Sequence, residues 1–290
     1  MGILKIFFVS SLILISGCTA TIKSESFITQ DKNVSPITEN TIQDWQRVFS
    51  NYNLSTVSLV SIDRGATIQG VFFDRKDSTE LIYFIPGNGM SISKGGIDAM
   101  KDLAELGHDM IIFDRRGLGA SSGNASVENL LTDANQQVAY IHQNIKPSKF
   151  TVHGYSLGSF IATQVAKTQN VDALVLQGAA TNAQEWIDER LSWLMKPFIT
   201  VNVQKEIEAL DNKDILANDY TGPLLVISAE LDEQVPSKLS QSLYDSSSSN
   251  RKELILVKGA SHGSMFSDET TLLKYKNFLN SFVSSKPHTL

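Results

Sequence analysis

The sequence predicts an α/β architecture: a mostly parallel central sheet of about eight strands, helices on both faces and a small helical insertion. Three observations carry this. Apolar runs of four to seven residues, rich in Val, Ile and Phe, recur from about Val57 onward. Segments with helical spacing lie between them, and the later runs lack the polar alternation of a sheet with one wet face. The composition agrees, because 290 residues with 42% hydrophobic and 19% charged side chains form a globular core without disulfides or metals. The net charge of −6, with no Lys/Arg cluster, excludes a nucleic-acid partner.

Residues 1–17 differ from the rest. Lys5 precedes an apolar run from Ile6 to Ile15, interrupted only by Ser10 and Ser11. That run is about half of the roughly 20 residues a spanning helix needs, so it reads as a secretory signal. Ile15-Ser16-Gly17-Cys18 then holds the chain's one cysteine and resembles the lipobox of bacterial lipoproteins, which implies cleavage before Cys18, lipidation of its sulfur and anchoring to a membrane surface. Thr19, where inner-membrane retention would call for Asp, resembles the outer-membrane sorting pattern of Gram-negative cells. The expected localisation is therefore the bacterial cell envelope, lipid-anchored at the outer membrane and facing the periplasm. Residues 18–43 are polar and are expected to be a tether with little fixed structure, leaving 44–290 as the folded domain.

Within that domain the expected strands are Val57–Ile62, Ile68–Phe73, Leu81–Ile85, Met110–Phe113, Phe150–His153, Ala173–Leu176, Leu224–Ile227 and Leu254–Val257. Helical spacing joins Leu130, Ala134, Val138 and Ile141, and again Leu272, Tyr275, Phe278, Leu279 and Phe282. The strand at Phe150 runs into Gly154-Tyr155-Ser156-Leu157-Gly158 and at once into a helix. A Gly-x-Ser-x-Gly turn between strand and helix holds its serine in strained geometry above the strand ends, and the glycines leave room where a Cβ would clash. A second copy, Gly119-Ala120-Ser121-Ser122-Gly123, lacks a strand directly before the serine, so context selects Ser156.

A serine hydroxyl needs a base, and the base an orienting acid. Of five histidines, His288 lies in the tail, His142 on a polar helix and His108 before a strand, while His153 packs under the elbow. His262 sits in Gly259-Ala260-Ser261-His262-Gly263 after the last strand, at the same sheet edge as Ser156. For the acid, the strand ending at Ser228 leads into Glu230, Asp232 and Glu233. Asp232 is preferred, four residues past Ser228, with Glu230 second; Pro236 opens the next helix.

The chain order Ser156, Asp232, His262 resembles the α/β-hydrolase superfamily, in its serine-aminopeptidase and esterase-like branch, over about Ser58 to Ser284. Asp114-Arg115-Arg116-Gly117-Leu118-Gly119-Ala120-Ser121 is similar to a loop common in that superfamily, which accounts for the decoy serine, and Asp232 to Pro236 is similar to its acid loop. The resemblance implies an oxyanion hole made by the backbone N–H of Leu157 and one from the loop after the third strand, Pro86-Gly87-Asn88-Gly89-Met90, assigned to Asn88 with Gly89 as the alternative. Pro86 departs from the superfamily's usual histidine.

A rival reading makes Gly87 and Gly89 a dinucleotide loop with Asp114 as its acid. It fails because Ile92 occupies the third glycine's place and the triad is left unexplained. No metal-ligand spacing or phosphate loop occurs, so neither metal nor cofactor is expected. Between Gln177 and Pro223 lie some forty residues in which Ile187, Leu191, Leu194 and Phe198 repeat helically beside Trp186, Trp193 and Met195. The lid expected over 182–222 either lines an apolar acyl pocket or buries a helix against the body. The implied function is a lipid-anchored serine hydrolase acting on a small acyl substrate, an ester, thioester or amide, through an acyl-enzyme. The alternatives are a peptidase of the serine-aminopeptidase type and a non-catalytic envelope lipoprotein using the fold as a scaffold.

Overall fold

The computed structural model describes residues 18–23, 27–31, 33–192, 194, 196 and 198–281. The apolar run and Ser16-Gly17 of the signal, together with Trp193, Met195, Phe282 and His288, lie outside the described residues.

Eight strands form one sheet: β2 (Tyr52–Val60), β3 (Thr67–Arg75), β4 (Glu80–Ile85), β5 (Asp109–Phe113), β6 (Lys149–Tyr155), β7 (Ala173–Gln177), β9 (Leu224–Ala229) and β10 (Lys252–Val257). Their order is β10-β9-β7-β6-β4-β5-β3-β2. Pairing is parallel from β10 to β5, while β3 joins β5 antiparallel and β2 joins β3 antiparallel. All eight expected strands are present. The largest boundary shift is at β2, which starts at Tyr52 because this edge strand alternates buried and exposed residues and its first half carries no continuous apolar run. β5, β7 and β9 are buried throughout, as strands covered on both faces must be. Each face has its own apolar layer, one including Tyr83, Phe150 and Ile161, the other Phe73, Met100 and Tyr275.

The covering helices are α1 (Glu39–Val48), α2 (Gly96–Ala104), α3 (Val127–Tyr140), α4 (Leu157–Thr168), α8 (Ser237–Ser246) and α9 (Glu269–Asn280). α3 starts where the Ser126 hydroxyl accepts from the Asn129 N–H and buries the spaced Leu130, Ala134 and Val138. The loop after β5 is braced by Arg116, whose guanidinium binds both oxygens of buried Asp133 at 2.7 and 2.9 Å and reaches Asp63 at 2.7 Å.

Two expectations require correction. The described residues of the 18–43 stretch are not a loose tether. β1 (Cys18–Ile22) pairs in parallel with β8 (Ile199–Val203), Ile28 is buried, and α1 begins before residue 44. Their backbone donors and acceptors find fixed partners on the body, such as the Asp31 N–H on the Gly117 carbonyl at 2.8 Å and the Ser35 N–H on Gly119 at 2.7 Å. The helical spacing from Ile187 to Phe198, in turn, does not continue as a helix. α5 (Ala183–Arg190) stops where Leu191 turns extended, and β8, α6 (Lys205–Glu208) and α7 (Asn212–Asn218) follow. Ile187 is buried but Leu194 and Phe198 are exposed, so the apolar spacing past Arg190 marks no helix face.

Candidate active site

Ser156 stands between β6 and α4 with φ 53° and ψ −119°, a region that non-glycine residues rarely enter. The turn is held by the Ser156 N–H on the Gln177 carbonyl of β7 at 2.9 Å. Close approach explains its glycines: a Cβ on Gly158 would lie 2.1 Å from the Ile85 carbonyl oxygen, and one on Gly154 would lie 2.6 Å from the Ala162 Cβ. The strain is thus imposed by α4 packing directly on the end of β4.

His262 and Asp232 come from loops that are zipped together. The Glu230 N–H donates to Val257 at 3.0 Å and the Leu231 N–H to Ala260 at 2.9 Å, which sets the acid loop against the histidine loop. His262 Nδ1 then lies 2.7 Å from Asp232 Oδ2, with both side chains buried. The other carboxylate oxygen accepts the backbone N–H groups of Gln234 and Val235 at 2.9 and 2.8 Å. Glu230, the second choice for the acid, instead accepts the Gly259 N–H at 2.9 Å and braces the loop.

The imidazole leans over Gly178, where a Cβ would meet His262 Cε1 at 2.9 Å. Gly178 directly follows Gln177, the residue that anchors the Ser156 amide, so His262 and Ser156 share one sheet rim. Among the described hydrogen bonds none joins His262 Nε2 to Ser156 Oγ; such contacts are commonly long before substrate arrives. Tyr155 closes one side, donating from its hydroxyl to the His262 carbonyl at 3.2 Å. Burial, with the nearby Asp232 charge, pushes its phenol up to about 12, so it stays a neutral donor.

The loop after β4 faces this pair. Gly87 packs on the elbow, where a Cβ would stand 3.1 Å from the Ser156 Cβ. The backbone N–H groups of Asn88 and Leu157 make no backbone hydrogen bond among the described loops and turns, and both residues border the same cavity as Ser156. That cavity, about 380 Å³, is walled by Ile22, Phe27, Phe160, Ala180, Ala183, Trp186 and Val235. Of the insertion, then, α5 lines the cavity. Its Trp186 indole N–H donates to the Gln234 carbonyl at 2.8 Å, tying the wall to the acid loop.

The remaining candidates have structural work. Ser121 is buried, donates to the Asp114 carbonyl at 2.8 Å and accepts the Gln69 N–H at 2.9 Å, which leaves its hydroxyl no free role. Asp114 caps two backbone amides, of Ile92 at 2.6 Å and Ala120 at 2.7 Å, and burial pushes its carboxyl up to about 6. His153 is fully buried under the elbow, between Gln177 at 3.0 Å and the Tyr275 hydroxyl at 3.3 Å. Among the described residues no group of three His, Cys, Asp or Glu side chains could hold a metal.

Sequence reasoning missed Arg115. Its buried guanidinium reaches the Gly87 carbonyl at 3.3 Å and Asn88 Oδ1 at 3.4 Å, beneath the proposed oxyanion loop, and burial lowers its pKa to about 10. It also missed Ile22 and Phe27, for which the available signal was apolar residues set in a polar stretch.

The comparisons agree with this architecture. The family model of the alpha/beta hydrolase fold matches residues 80–204. The chain is 28% identical over 189 residues to the lysophosphatidylserine lipase ABHD12 of Danio rerio, covering 59% of this chain and 48% of that protein. It is 26% identical over 225 residues to human protein ABHD12B, covering 71% and 62%. The chain spans about half the length of the curated relatives it matches. Among solved structures, the Pyrococcus furiosus esterase Pf2001 superposes with a TM-score of 0.68 at 17% identity, covering 88% of this chain and 99% of that one. DcsB in complex with its substrate analogue superposes with a TM-score of 0.64 at 19% identity, covering 80% and 100%.

Proposed function

We propose that this chain, which has the α/β-hydrolase fold, is a serine hydrolase that cleaves a carboxylic ester through an acyl-enzyme. The observation that carries the reading is a strained Ser156 on the wall of an apolar cavity, at the rim where His262 is oriented by Asp232. In the proposed cycle His262 Nε2 takes the Ser156 proton as Oγ attacks the carbonyl carbon, and the imidazolium formed is stabilised by Asp232. The oxyanion is held by the N–H groups of Leu157 and Asn88. His262 then returns the proton to the leaving alcohol, and water, deprotonated by the same imidazole, releases the acid and restores Ser156. The cavity favours an acyl chain over a polar group, in keeping with the lysophosphatidylserine named for the Danio rerio relative. Thioesters and amides share the machinery.

A fluorophosphonate probe tests this directly. Wild type and Ser121→Ala are expected to label equally and Ser156→Ala not at all. Labelling that survives Ser156→Ala removes the site, and an unlabelled wild type favours the non-catalytic scaffold.

The second part of the proposal is a lipid on Cys18 that holds the chain in the bacterial cell envelope, at the outer membrane facing the periplasm. β1 starts at Cys18 and reaches the cavity wall at Ile22, so the anchor would lie roughly 13 Å along the strand from the cavity. Cells fed labelled palmitate are expected to incorporate it into the wild-type chain and not into Cys18→Ser; equal incorporation rejects the anchor.

A further inference from the structure

The segment preceding the domain contributes to the site itself. Phe27 lies edge-on to Trp186 of the insertion, ring centroids 6.4 Å apart at 77°, and the two rings line the cavity together with Ile22. The backbone around Phe27 grips the loop that carries the proposed oxyanion donor. Asn88 Oδ1 accepts the Thr29 N–H at 2.9 Å, and Asn88 Nδ2 donates to the Phe27 carbonyl at 2.9 Å. Both flanks are tied down. Upstream, Ile22 pairs with Val203 and accepts the Gln204 N–H at 3.0 Å. Downstream, Gln30 Oε1 accepts the Ala125 N–H at 2.8 Å, and Asp31 accepts the Gly119 N–H at 2.9 Å.

A segment needed only as a spacer has no reason to place an aromatic ring in the cavity or to satisfy both ends of one asparagine amide. We infer that Ile22 and residues 27–31 form one wall of the acyl cavity as a strap, and that Phe27 is a specificity-determining residue that binds the acyl chain of the substrate. The inference rests on the hydrolase reading above. A ring that touches the chain and not the reacting carbonyl binds ground state and transition state alike, so its loss acts on KM rather than kcat.

The test compares p-nitrophenyl octanoate with p-nitrophenyl acetate, using wild type, Phe27→Ala and Phe27→Leu, each titrated with the fluorophosphonate to count active sites. Phe27→Ala is expected to lower the octanoate-to-acetate ratio of kcat/KM by about tenfold, through KM, the scale set by one apolar contact of this size. Phe27→Leu, which keeps most of the apolar contact, is expected to recover most of the ratio. An unchanged ratio in Phe27→Ala, or equal losses on both esters, overturns the assignment while leaving the hydrolase reading intact. A wild type that takes up no probe and cleaves neither ester overturns both.

Discussion

Asp232→Asn is expected to lower kcat by about 10⁴ while leaving KM and the melting temperature near wild type. The reason lies in how Asp232 is held. One oxygen accepts the N–H groups of Gln234 and Val235, and only the other faces His262 Nδ1. An asparagine must keep its carbonyl oxygen on those two amides, which turns its NH2 toward the imidazole. Nδ1 then has to accept, and the ring proton moves to Nε2, the position that needs a lone pair to deprotonate Ser156. Glu230→Gln, which only braces the Gly259 amide from the surface, is expected to change kcat by less than about threefold, the scale of an exposed substitution away from the chemistry. Ester hydrolysis by the two purified variants decides the matter. Asp232→Asn within tenfold of wild type, or a large loss in Glu230→Gln, would return the acid assignment to Glu230.

The second large effect is on stability in acid. Burial depresses the His153 pKa to about 3, against an ordinary value of 6.5. In the unfolded chain this histidine protonates as pH falls through 6.5, whereas the folded chain resists until about pH 3. The unfolded state therefore binds more protons throughout that window. Its contribution to stability is fully present above pH 6.5 and is lost on acidification, at about 1.4 kcal/mol per pH unit and on the order of a few kcal/mol in all. Asp109 and Asp114, both pushed up to about 6 by burial, act in the opposite sense, since the folded chain takes up their protons first. The informative quantity is hence the difference between wild type and His153→Gln in urea-unfolding free energy. It is expected to shift against wild type by about 1.4 kcal/mol for each unit between pH 6 and 4. Parallel curves would show that His153 is charged in the folded protein.

Much of the catalytic proposal was readable without coordinates because each part has a local cause. The apolar runs at β5, β7 and β9 read as strands because a parallel strand covered on both faces has no side that points to water. Ser156 stood out from Ser121 because a strand enters its turn directly, and the structure gives Ser121 two backbone partners that occupy its hydroxyl. His262 and Asp232 were chosen by position after a strand, since parallel strands deliver all their C-terminal ends to one rim. His153 was placed under the elbow because it directly precedes the turn, and its burial there is what depresses its pKa.

The misreadings share one origin. Residues 18–43 have the composition of a tether, and the apolar spacing from Ile187 to Phe198 has the period of a helix; both properties are local. Ile22 becomes a cavity wall only because β8 of the insertion offers its edge for pairing. Asn88 is held across the chain because Phe27 and Thr29, some sixty positions away, present a carbonyl and an amide to it. Strand runs, the elbow and the order of the catalytic candidates were determined by the sequence alone, through periodicity and turn chemistry that act over a few residues. Which segment closes the cavity, which carboxylate meets His262 and what Arg115 does beneath the loop were decided by the tertiary structure, because an unpaired strand edge or a buried amide takes whatever partner the fold brings within hydrogen-bonding distance.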